Sequence, residues 1–182
     1  EGTDFYHYSC GNGLGLPEDD MIIEMEQFTD SYLSSHGIRQ YEISNYARPG
    51  YECRHNIGYW YNEPFIGCGA GAAGFLNGER YKVITDPFNY CLAMEDGGDG
   101  IEERESLSHD ASFRETVVMG LRLIEGVDKG RLYDRYQLKL DDQYGSVLAE
   151  LLDKKLLEEA DAYVRLTDQG RRFANQVMAE LV

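Results

Sequence analysis

The stretch AMEDGGDGIEERE, running from Ala93 to Glu105, constrains this chain more than any other feature. It is rich in glycine and acid and poor in apolar side chains, a composition that interrupts periodic structure. Two parts are therefore expected, residues 1–95 and 106–182, joined by a linker at 96–105. The first alternates strand and helix signals, and the second reads as mostly helical. A chain of 182 residues, 42% of them hydrophobic, has room for one good-sized domain, or a partial domain plus a small one.

In the first part, Asp4–Ser9 (DFYHYS) suits a short strand and Cys10–Leu16 a glycine-rich loop. Pro17 then stands where the first turn of a helix tolerates it. Met21, Met25, Phe28 and Tyr32 follow at spacings of four, three and four, which predicts one apolar helical face ended by Gly37. Ile38–Tyr46, Phe65–Leu76 and Tyr81–Thr85 read as strands, and Asp86–Met94 as a short helix. A helix leading into such a strand belongs to an α/β architecture.

In the second part, Ser108 caps a helix carrying Phe113, Val117, Leu121 and Ile124, which Gly126 stops. Asp128 caps a short helix through Tyr136. Asp141 or Asp142 caps a third, carrying Val147, Leu148, Leu151, Leu152 and Leu156. Leu157–Leu166 suggests a hairpin turning at Glu159–Asp161. Thr167 caps a last helix with Phe173, Val177 and Leu181 on one face. Three helices, a hairpin and a closing helix make a winged-helix-like arrangement.

The net charge of −16 is uneven: 6 Lys and Arg against 19 Asp and Glu up to Glu105, then 11 against 14. Nucleic-acid affinity comes largely from Lys and Arg displacing counterions, so no nucleic-acid partner is expected. The would-be recognition helix of the winged-helix-like part, Asp141–Lys155, is itself net negative. No stretch approaches the ~20 apolar residues of a membrane helix, and no transmembrane segment is expected. Cys10, Cys53, Cys68 and Cys91 lack the close spacing of a zinc ribbon, a ferredoxin-like cluster or a thioredoxin motif. Few cysteines and no signal peptide favour the cytoplasm. The first residue is Glu1, not Met, which suggests a fragment or a processed product.

Two segments carry candidate chemistry. His55 can ligate haem iron, and Tyr59 and Trp60 can stack on a flat macrocycle; the plainer alternative is a histidine hydrogen-bonded in a loop beside aromatic packing. Cys53 is a possible thiolate ligand. His7, His36 and His109 have no such company. Gly67, Gly69 and Gly71 let backbone come close to a ligand, and serve equally for a tight strand bend or bulge. Their spacing is not that of a dinucleotide-binding loop.

Three stretches, YEISNYARPGYECRHNIGYW (41–60), FIGCGAGAAGF (65–75) and ETVVMGLRLIEGVD (115–128), with the terminal LTDQGRR (166–172), together resemble one family. It is the oxygen-independent coproporphyrinogen oxidase family of radical S-adenosylmethionine proteins (HemN), and within it the haem-chaperone branch (HemW). The most specific piece is His55-Asn56-x-x-Tyr59-Trp60. The resemblance implies α/β plus α: the C-terminal part of a partial (β/α) radical-SAM barrel at 1–95, then the winged-helix-like helical domain. It also implies S-adenosylmethionine and a 4Fe-4S cluster in the full-length protein, with the cluster cysteines upstream and the chain's own N-terminal half as partner. On that basis Gly67, Gly69, Gly71 and Ala73 face the S-adenosylmethionine side, although Ala73 stands where HemW-like sequences often have histidine. His55, Asn56, Tyr59 and Trp60 are the candidates for haem or porphyrin. No catalytic or metal-ligating residue is expected here, and alone the chain should be inactive. The expected function is haem chaperoning; the alternatives are oxidative decarboxylation of coproporphyrinogen propionates and a non-enzymatic interaction domain.

Overall fold

The computed structural model describes residues 6–8 and 17–182. Asp19 and Asp20 open helix α1 (Asp19–Ser35), where carboxylates suit the positive end of the helix dipole. The helix stops at Gly37, whose φ of +72° is the left-handed conformation that glycine adopts without strain. Its apolar face does not meet a core: Met21, Met25, Phe28 and Tyr32 are all more than half exposed. Residues 6–8 are helical rather than extended, and the loop expected at Cys10–Leu16 lies outside the described residues.

Ile38–Tyr46, expected as one strand, is a hairpin. Strand β1 (Arg39–Glu42) pairs antiparallel with β2 (Asn45–Ala47). The turn forms because Glu42 Oε1 accepts hydrogen bonds from the Ser44 backbone N–H at 2.9 Å and from the Asn45 side-chain amide. A short helix, α2 (Arg54–Trp60), follows. Of the strand expected over Phe65–Leu76 only its end, β3 (Ala73–Leu76), is formed. The chain doubles back ahead of it, and Phe65 and Phe75 exchange backbone hydrogen bonds of 2.7 and 2.9 Å. After β4 (Glu79–Val83), Asp86 caps α3 (Pro87–Glu95) by accepting from the Asn89 N–H at 2.8 Å.

The expected linker at 96–105 is a strand from Ile101 onward. This β5 (Ile101–Ser106) is the outer member of an antiparallel sheet ordered β3-β4-β5. Cross-strand ion pairs hold it, Arg104 to Glu79 at 2.7 Å and Glu105 to Arg80 at 3.4 Å. The sheets are small and open, and every strand pairing among the described residues is antiparallel. The parallel pairing of a barrel is not among them.

The second part opens with α4 (His109–Gly120), capped by Ser108 Oγ accepting from Ala111 N–H at 3.2 Å. The helix ends at Gly120 rather than Gly126, because the chain next turns at Leu121 and Arg122 and bridges to the β1–β2 hairpin at Leu123. Ile43 N–H donates to the Arg122 carbonyl at 3.0 Å, and Ile124 N–H to that of Tyr41 at 3.1 Å. Then β6 (Val127–Asp128) leads into α5 (Lys129–Tyr136), where Asp128 Oδ1 accepts from the N–H groups of Gly130 and Arg131. Helix α6 (Leu140–Asp153) has Lys139 at its cap position, so Asp141 and Asp142, expected as caps, lie in its first turn instead, and the helix kinks at Gly145. Strands β7 (Leu157–Ala160) and β8 (Tyr163–Leu166) form the expected hairpin, and β6 completes the sheet in the order β6-β8-β7. Thr167 caps α7 (Asp168–Arg172), but the expected final helix breaks at an exposed Phe173 before α8 (Ala174–Ala179). Val177 and Leu181 are buried as expected; Phe173 is not. One apolar cluster joins these elements through Phe113, Val117, Leu121, Leu148, Leu157 and Val177. Its buried members all fall between residues 113 and 181.

Candidate functional site

Helix α2 sorts its own candidates by face. Residues four apart on a helix share a side, so His55 goes with Tyr59, and Asn56 with Trp60. The His55 and Tyr59 rings meet edge-on with centroids 4.5 Å apart, and Tyr59 meets Phe65 in the same way at 4.5 Å. His55 is exposed, and among the described residues its imidazole makes no hydrogen bond. It lies on a helix, not in a hydrogen-bonded loop. Both ring nitrogens remain able to meet a metal centre. The sequence reading missed Phe65, because only the Phe65–Phe75 backbone pairing carries that ring back to α2.

Trp60 turns the other way. Its ring lies under the Arg122 guanidinium, 4.3 Å from the ring centroid, and its Nε1 is buried without a hydrogen-bond partner among the described residues. The structure therefore does not bring Trp60 into one wall with His55 and Tyr59. Asn56 is half buried. The next residues fasten the end of α2 to the second part. The Tyr61 hydroxyl donates to Glu125, and burial, followed by that hydrogen bond, pushes its pKa up to about 12. Arg131 stacks on the Tyr61 ring at 4.2 Å, and Arg135 donates to the Tyr61 carbonyl at 3.2 Å. Buried Asn62 donates to Glu115 at 3.2 Å and to Thr116 at 3.0 Å.

The glycine run is shaped by its own chain. A methyl group on Gly67 would sit 2.0 Å from the Ala73 carbonyl oxygen, so this position requires glycine. Gly67 N–H also donates to the Tyr81 hydroxyl at 2.9 Å. Gly69 and Gly71 take φ of +95° and +72° in the turn leading to β3, where Gly71 N–H donates to the Ile84 carbonyl. These contacts are those of a tight bend. Ala73 pairs with Lys82 and is exposed. Cys53, Cys68 and Cys91 are free and exposed, and no group of three or more His, Cys, Asp or Glu among the described residues could hold a metal ion. The donors among the described residues do not fit an iron–sulfur cluster. No helix among the described residues is long and apolar enough to cross a membrane.

Residues 107–173 match the model of the HemN C-terminal domain. The chain is 35% identical over 175 residues to the haem chaperone HemW of Bacillus subtilis, covering 96% of this chain and 46% of that protein. It is 34% identical to HemW of Lactococcus lactis, covering 93% and 44%. It thus spans somewhat under half the length of these relatives. The solved structure of coproporphyrinogen III oxidase (HemN) from Escherichia coli, described as a radical SAM enzyme, superposes with a TM-score of 0.71 at 16% identity. That match covers 91% of this chain and 42% of the other, and it speaks to the fold alone.

Proposed function

This chain belongs to the HemN/HemW family of radical S-adenosylmethionine proteins, and from that premise we propose that it handles haem as a HemW-type chaperone does, through the exposed face of α2. The observation that carries the reading is His55, an exposed imidazole with no hydrogen bond to a described residue, standing on the Tyr59–Phe65 aromatic pair. Haem is a flat apolar plate with iron at its centre, so a site needs one ligand atom and apolar rings beside it. His55 supplies the nitrogen, and Tyr59 and Phe65 supply the rings. Haem is cargo here. S-adenosylmethionine and a 4Fe-4S cluster are implied by the family for full-length members.

In this reading residues 1–95 belong to a radical-SAM barrel, with Gly67–Ala73 toward the S-adenosylmethionine side. Residues 106–182 form a winged-helix-like domain docked against it, and the protein works in the cytoplasm. The test is a haem titration of this chain followed by absorbance. His55→Ala should shift the Soret band and weaken binding, and Tyr59→Ala should weaken it with the band unmoved, since ring contacts leave the ligand field alone. If both variants melt like the parent and bind haem as tightly, the haem site is not on α2. Turnover of coproporphyrinogen by the intact protein would replace the chaperone reading with an oxidase.

A further inference from the structure

We propose that buried Glu42 and half-buried Arg122 and Trp60 form a relay through which the second part of the chain sets the orientation of α2, making Arg122 and Trp60 positioning residues for the His55–Tyr59 face. The idea rests on the haem reading only in what that face is for; the relay itself stands on geometry.

Glu42 is wholly buried, at 0% exposure, at the end of β1. One carboxylate oxygen holds the hairpin turn, and the other, Oε2, lies 3.7 Å from Arg122 Nη2. That separation is long for a direct hydrogen bond, so the attraction is chiefly between charges. Arg122 belongs to the turn that follows α4, and backbone hydrogen bonds at Ile43 and Ile124 pin residues 122–124 to the hairpin. Its guanidinium carbon then sits over the ring of Trp60, the last residue of α2, 4.3 Å from the centroid. Three polar atoms in this group, Glu42 Oε2, Arg122 Nε and Trp60 Nε1, are buried without a hydrogen-bond partner among the described residues.

For stability alone this is a poor arrangement. Buried ion pairs replaced by well-packed apolar residues often leave a protein as stable or more so. What the trio provides is direction. A guanidinium is planar, so facing a carboxylate while lying on an indole admits few orientations, and a lysine ammonium could not reproduce it. Fixing Arg122 by the hairpin fixes Trp60, and Trp60 sets the rotation of a helix whose opposite face presents His55.

Trp60 is the one tryptophan of the chain, so its fluorescence reads the relay without haem. Glu42→Gln and Arg122→Lys each keep the approximate size of the side chain, and Arg122→Ala removes it. Emission and acrylamide quenching of Trp60, amide exchange across α2, melting temperature and haem titration would be measured on all three. In both conservative variants Trp60 should become more quenchable, and α2 amides should exchange faster by more than the accompanying loss of global stability accounts for, since removing one partner of the pair leaves the other uncompensated. Haem affinity should fall by about threefold to thirtyfold with the Soret position unchanged, the span expected for coupling through packed side chains. Unaltered quenching and exchange in Glu42→Gln and Arg122→Lys would overturn the relay whatever haem does. Altered fluorescence with parental haem affinity would overturn the positioning role while His55→Ala still tests the site. If His55→Ala binds haem like the parent, the haem reading fails, and faster α2 exchange in the variants still supports the relay.

Discussion

Tyr144→Phe should exchange a stability loss at neutral pH for a gain at high pH. Tyr144 is buried on α6, its ring beside Phe113 and its hydroxyl donating to the Leu181 carbonyl at 2.9 Å. Removing the hydroxyl deletes that hydrogen bond and leaves a buried carbonyl unpaired, which costs about 1–2 kcal/mol. At pH 7 to 9 the variant should therefore be the less stable protein. Burial also pushes the Tyr144 hydroxyl up from 10.0 to about 12, against a lowering by Arg114. A neutral group whose pKa is raised by folding contributes stability that is whole below the unfolded value, near 10, and is lost as pH rises through the folded value, near 12. At about 1.4 kcal/mol for each tenfold in the equilibrium, the parent forfeits at most about 2–3 kcal/mol over that window. Phenylalanine has nothing to titrate, so the two stability curves should cross between pH 10 and 12. Urea unfolding at pH 8, 10, 11 and 12 by circular dichroism measures the difference, and the effects of the other tyrosines cancel in it. A difference that stays constant with pH would refute the account.

Three further outcomes are expected. Gly170→Ala would place a methyl 1.9 Å from the Leu156 carbonyl oxygen, a backbone atom that cannot swing aside, and should cost at least about 2 kcal/mol in urea unfolding. An unshifted midpoint would contradict the packing. Asp128→Ala removes the acceptor for two N–H groups at the start of α5 and should cost about 1 kcal/mol, while Asp128→Asn should restore most of it. Exposed Cys53, Cys68 and Cys91 should all react with a thiol reagent in the native protein, and protection of any of them in timed mass spectrometry would dispute its placement.

The second part was largely legible because its signals are local. Ser108, Asp128 and Thr167 each accept a backbone N–H within three residues, and spacing alone put Phe113, Val117 and Leu121 in the core. The misses had distant causes. Ile38–Tyr46 bends because Glu42 reaches forward to Ser44 while Arg122, eighty positions on, draws the same carboxylate inward. Residues 101–105 read as part of the linker at 96–105 because their strand rests on charge partners in β4, which apolar periodicity does not register. HNxxYW showed its residue types, but only a helical α2 reveals that Tyr59 and Trp60 look in different directions. Phe65 was hidden for the same reason as Glu42, since its partner came from a chain reversal.

The outer strand β5 bears on how this protein behaves in a crowded solution. A sheet that ends in a free strand edge can recruit another copy of itself, and long flat apolar edges are where aggregates begin. This edge is short and carries Glu102, Glu103, Arg104 and Glu105 in succession, with every residue after Ile101 exposed. A second copy laid against it in register would bring like-charged glutamates together. Self-association through that sheet is thus opposed by the same charges that make the segment look unstructured in the sequence.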